Sequence, residues 1–140
     1  MYKYLCLALM LVALMSCKKD DNNASGLKKR MVGRWYIDKV NIDTYNADGS
    51  LEVQHEATGD AGNFIEFKND NTVTSFTTAN AQSASVSFQT TSENTFNIIQ
   101  EDRTEPCRVI SLQDKSFTFT LDRNKGTGMV YIEFTYSLKK

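Results

Sequence analysis

A two-residue rhythm limits this chain more than any other feature. In 116–122, Phe117, Phe119 and Leu121 alternate with Thr118, Thr120 and Asp122. In 130–138, Val130, Ile132, Phe134, Tyr136 and Leu138 share one parity, and Glu133, Thr135 and Ser137 share the other. A period of two sends alternate side chains to opposite faces of a strand. Long helical periodicity is absent, Ser and Thr are abundant, and Pro106 is the single proline. The chain therefore reads as all-β.

Turn chemistry cuts the rest into similar runs. Asn46-Ala47-Asp48-Gly49 separates a first strand, opening at Gly33, from Leu51, Val53, His55 and Ala57. Such residues favour tight turns because they tolerate left-handed backbone or cap it with their own side chains. Further runs follow at 64–68, 72–78, 84–90, 95–100 and 107–112. In the first strand, Trp35 and Ile37 share one parity, and Val40 and Ile42 the other. A bulge near Asp38-Lys39 would bring both pairs to the inside. Ser25–Met31 reads as one short helical turn, with Ser25 as its cap and Leu27 and Met31 on one face.

About nine strands with hairpin-length links predict an up-and-down antiparallel meander of 8–9 strands. Closing it into a barrel removes both exposed edges. An immunoglobulin sandwich would be signalled by two cysteines flanking a tryptophan, a pattern missing here. In a meander the strands alternate in direction. That expectation places the loops around Asp48, Asp70, Glu93 and Asp114 at one rim, the mouth. The loops around Gly59, Ala81, Arg103 and Gly126 fall at the base with Trp35. The side chains expected near the mouth, as candidates for lining a ligand, are Val40, Leu51, Phe67, Phe88, Phe96, Leu112, Phe117 and Tyr136. Trp35 is expected to be structural.

The N-terminus carries a separate message. Lys3 precedes an apolar run from Leu5 to Met15, too short for a bilayer span of about 20 residues but suited to a signal peptide. Leu14-Met15-Ser16-Cys17 resembles a bacterial lipobox. That resemblance implies cleavage after Ser16 and a diacylglycerol plus an N-acyl chain, such as palmitate, on Cys17. Two or more acyl chains hold a protein stably on a membrane. Lys18-Lys19-Asp20-Asp21-Asn22-Asn23 then reads as a solvated tether. It resembles the export signal that carries some lipoproteins to the outer face of the outer membrane. The expected layout is 1–16 signal peptide, 17–26 lipidated cysteine and tether, and 27–140 barrel domain.

Little in the chain suggests catalysis. With 16 basic and 17 acidic residues and no charge block, nucleic-acid binding has no support. His55 is the only histidine, with no acid or nucleophile spaced near it, and reads as a strand side chain. Once Cys6 leaves with the signal and Cys17 takes lipid, Cys107 stands alone, so no internal disulfide is expected. Asp102 and Glu105 match no acid–base or calcium spacing, and no Cys/His cluster suggests zinc. No cofactor or metal is expected, and the chain does not read as an enzyme.

Gly33-Arg34-Trp35 resembles the Gly-x-Trp that opens the first strand of lipocalins, and the helical lead-in is similar. The stretch Val109 to Phe119 looks like the late hairpin of small bacterial lipocalin-like lipoproteins. The resemblance implies a lipid-anchored binding protein of the cell envelope that takes a small apolar ligand at the barrel mouth. The rival expectation is a protein-interaction module, an inhibitor or accessory subunit of an envelope complex, with a side-chain-filled barrel.

Overall fold

A computed structural model describes residues 23–79 and 81–140. The signal peptide, the lipobox at Leu14–Cys17 and most of the tether lie outside the described residues. The described chain holds one helix, α1 (Asn23–Met31), and nine strands. These are β1 (Gly33–Tyr45), β2 (Leu51–Thr58), β3 (Phe64–Phe67), β4 (Thr72–Thr77), β5 (Gln82–Thr90), β6 (Thr95–Ile99), β7 (Thr104–Leu112), β8 (Ser116–Arg123) and β9 (Tyr131–Lys139). Every adjacent pair is antiparallel, and β9 returns to pair with β1. The result is a closed eight-stranded barrel plus one extra strand, β2.

The expected closed antiparallel barrel is present, and the extra strand is its one departure from a simple meander. β2 and β3 are not a hairpin. Both lie along the same edge of β1 and run in the same direction: Thr58 faces Lys39, and a few residues on Phe64 faces Tyr36. The chain between them makes a short detour, pinned where Gly59 N–H donates to the Asp38 carbonyl at 2.9 Å and Ile37 N–H donates to the Asn63 carbonyl at 2.9 Å. Gly59 is required there. A Cβ on it would lie 2.1 Å from the Ile37 carbonyl oxygen. Because β2 and β3 share a direction, every later strand runs opposite to the simple alternation.

The two ends of the barrel therefore exchange most of their loops. The loops around Asp70, Glu93 and Asp114 lie at the Trp35 end. Those around Ala81, Arg103 and Gly126 join Asp48 at the other. The detour at Gly59 is part of the wall and belongs to neither rim.

The expected bulge is present. Between Ile37 and Lys39 the β1–β9 register skips Asp38, so Ile37 faces Leu138 and Val40 faces Tyr136. This extra residue turns both apolar pairs of β1 inward. Strand β1 can be long because its two halves serve different neighbours, β3 below and β2 above.

The α1 end is closed by a solid plug. Trp35, Phe67, Phe88, Phe96 and Phe117 are each at most 2% exposed. Their rings meet edge-on or tilted, Trp35 to Phe117 at 5.5 Å and Phe67 to Phe88 at 5.2 Å, distances that favour aromatic pairs. The helix starts at Asn23, two residues before Ser25, and lays Leu27 and Met31 on the plug. Trp35 Nε1–H donates to the Met31 carbonyl at 2.7 Å, satisfying both a buried indole and a helix-end carbonyl. Lys140 Nζ sits 4.2 Å above the same indole. Among the described residues no helix is long and apolar enough to cross a membrane.

Candidate functional site

Above the plug the barrel interior is not filled. A cavity of about 180 Å³ opens toward the end opposite α1. Phe119 forms the boundary between the two regions. It touches the plug through Phe117 (5.1 Å) and Phe96 (5.3 Å), and it stacks on Tyr136 at 5.0 Å in the cavity wall. Ile65, Val73, Val86, Ile98 and Leu121 supply most of the remaining apolar lining, with Ala84 and Ser75 among the rest. Their convergence follows from strand parity. Alternate residues of β3, β4 and β5 point inward and become smaller toward the mouth.

One wall is polar. The inward row of β8 runs Phe117, Phe119, Leu121, Arg123, so its last member brings a guanidinium to the cavity. On β7 the row ends in Glu105, which is 4% exposed. Arg123 Nε donates to Glu105 Oε1 at 2.8 Å, and Arg103 Nε lies 3.3 Å from the same oxygen. Gln100 Nε2 donates to Oε2 at 3.4 Å. A polar group this deep is costly unless such partners meet it. The Arg123 guanidinium also lies 5.1 Å from the centre of the Phe134 ring. Burial raises the Tyr136 hydroxyl above its ordinary pKa, outweighing the lowering effect of Arg123.

The residues expected near the mouth are dispersed. Phe67, Phe88, Phe96, Leu112 and Phe117 sit in the closed-end core with Trp35, because the shared direction of β2 and β3 moved their ends of the strands to the base. Tyr136 does line the cavity. Val40 faces Tyr136 across the β1–β9 ladder and is half-buried. Leu51, on β2, is 52% exposed. The alternation itself could have singled out Phe119, Leu121 and Arg123.

The chemistry-bearing residues stay apart. His55 is exposed on β2. Cys107 is a buried free thiol in the core, and burial, with Glu105 nearby, pushes its pKa far upward. A thiol so shifted is not a nucleophile at neutral pH. Among the described residues no group of His, Cys, Asp and Glu could hold a metal ion.

No protein-family model matches this chain, and no curated protein matches it significantly. Among solved structures, it is similar to the solution NMR structure of protein lipocalin 12 from rat epididymis. The TM-score is 0.49 at 14% identity, over 80% of this chain and 66% of that one. The chain thus spans just under two thirds of that protein's length. The pairing of β9 with β1 closes the barrel.

Proposed function

We propose that this protein is a non-enzymatic binding module that takes a small, mainly apolar molecule through the open end of its barrel. The carrying observation is the cavity itself. Eight-stranded barrels either fill with side chains or hold one small ligand, and here the aromatic plug fills only one end. The remaining space has apolar walls and a few convergent polar groups, the usual makeup of a ligand site.

We further propose that Cys17 carries the lipid anchor and that the protein lies on the outer membrane, exposed at the cell surface. What supports this is the lipobox resemblance and the charged tether. The helix that begins inside the expected tether, at Asn23, packs on the closed end, so an anchored barrel would turn its mouth away from the membrane.

A test uses Ala84, which lines the cavity and is itself exposed at its edge. In an NMR titration with small apolar compounds, resonances of Ile65, Val73 and Ile98 should shift in the wild type. Ala84→Trp should abolish those shifts with little change in melting temperature. Shifts confined to surface loops, or equal in both proteins, would remove the cavity as the site. The second reading, protein interaction, is favoured by Leu51 and Val53, which are 52% and 54% exposed on a strand that, among the described residues, pairs only with β1. Leu51→Asp would then abolish capture of a partner while leaving the titration intact.

A further inference from the structure

The polar wall of the cavity has an unbalanced charge. Glu105 contributes one negative charge, and two guanidiniums, from Arg123 and Arg103, converge on its Oε1. Gln100 occupies Oε2. The carboxylate is thus well supplied with donors. Arg123 makes one hydrogen bond among the described residues, through Nε, and its two Nη groups make none. Two other acids of the neighbouring strands are committed elsewhere. Asp122 and Glu133 face each other across β8 and β9 on the outer side, where both meet Lys125 Nζ at 3.3 and 3.4 Å. The Arg123 side chain is 36% exposed, so these spare donors face the open end, where an anion can meet them.

We propose that the ligand is a small organic acid, with Arg123 taking its carboxylate while its apolar part lies against Phe119, Leu121 and Ile98. Arg103 serves as a positioning residue: it helps neutralise Glu105 and so leaves Arg123 available. The assignment rests on the binding reading above and adds the chemical class. Cavity size sets the length. At roughly 30 Å³ per water-sized group, about 180 Å³ holds about six such groups. That suits a short aliphatic or single-ring acid, and a longer tail would project from the open end.

The test compares a carboxylate with the alcohol of the same tail, hexanoate against hexanol, by calorimetry and by the NMR shifts of cavity residues. A length series from butyrate to dodecanoate accompanies it. The wild type should prefer hexanoate, with affinity levelling off near six carbons. Arg123→Gln should cut the hexanoate-over-hexanol preference by about tenfold, the value of one charge-assisted hydrogen bond. Glu105→Gln should move the other way and tighten hexanoate by about threefold, as removing a partly screened like charge does. A gain of affinity cannot come from misfolding, so this variant carries the test even if Arg123→Gln unfolds. Equal binding of acid and alcohol, or no gain in Glu105→Gln, overturns the anion assignment and leaves the apolar site standing. Affinity that keeps climbing to dodecanoate overturns the size limit. No binding of either compound removes the site altogether.

Discussion

Gly59→Ala is the sharpest probe of how this barrel is built. The added Cβ would sit 2.1 Å from the Ile37 carbonyl oxygen, 2.7 Å from its carbonyl carbon and 3.0 Å from its Cβ. The first two are backbone atoms of a strand paired on both edges, so no side chain can swing away. Relief requires the detour to lift off β1 by roughly 1 Å, toward the separation at which heavy atoms normally touch. That movement breaks the 2.9 Å bond from Gly59 N–H to the Asp38 carbonyl. The lost bond costs about 0.5–1.5 kcal/mol and the overpacking about 1–3 kcal/mol. A total near 2–4 kcal/mol corresponds to a melting temperature lower by about 8–16 °C for a domain of this size. Differential scanning calorimetry reads it directly. Gly26→Ala is the control. Among the described residues its Cβ meets nothing within 4 Å, and it lies inside α1, where alanine is worth up to about 1 kcal/mol over glycine. If Gly59→Ala melts within a degree or two of the wild type, the detour is not held against the bulge and the account of β2 and β3 fails.

Other expectations follow from the plug, the thiol and the anchor. Phe117→Ala, fully buried against Trp35 and Phe67, should cost about 3–5 kcal/mol in urea unfolding. A loss below 1 kcal/mol would mean the closed end is not solid. Cys107 should stay unmodified by aromatic disulfide reagents at pH 8 until the protein unfolds, and rapid labelling of the native state would contradict its burial. Its folded pKa is raised above the ordinary 9.0. The stability linked to the thiol is therefore full below pH 9 and is lost as pH rises through that value toward the folded one. Cys107→Ala should flatten this alkaline limb, and an unchanged limb would assign it to other groups. Cys17→Ala should release the protein from the membrane fraction, and retention there would refute lipidation.

The sequence made the strands legible because each carries its own signal. Alternation in 116–122 and 130–138 gave faces, and Asn-Ala-Asp-Gly at 46–49 gave a turn that the structure closes with Ser50 N–H and Oγ on Asp48 Oδ1. The Asp38 bulge was readable from the parity switch between Trp35-Ile37 and Val40-Ile42. Strand direction was not. Residues 59–63 contain Gly, Asp and Gly, the same chemistry as a hairpin, and a detour along one edge differs from a reversal only in which neighbour accepts the hydrogen bonds. That single ambiguity sent Phe67, Phe88, Phe96, Leu112 and Phe117 to the wrong end. The polar wall was hidden for another reason. Glu105, Arg103 and Arg123 lie in a charged loop and at a strand end, where charge ordinarily means solvent, and only closure of the barrel brings the three together.

The β1–β9 seam also governs when this protein can fold. Lys139 meets Asp38 across 101 residues of sequence, and β1 takes partners on its other edge from β2 and β3. Hairpins β4–β5 through β8–β9 can form locally and early, but the wall stays open until the last strand finds the first. Long-range closure of this kind slows folding, because the entropy of a large loop is lost before its contacts form. The rate-limiting event should therefore be ring closure. Substitutions at the seam, such as Tyr136→Ala, would slow refolding, whereas equally destabilising changes in the β6–β7 hairpin would mainly hasten unfolding.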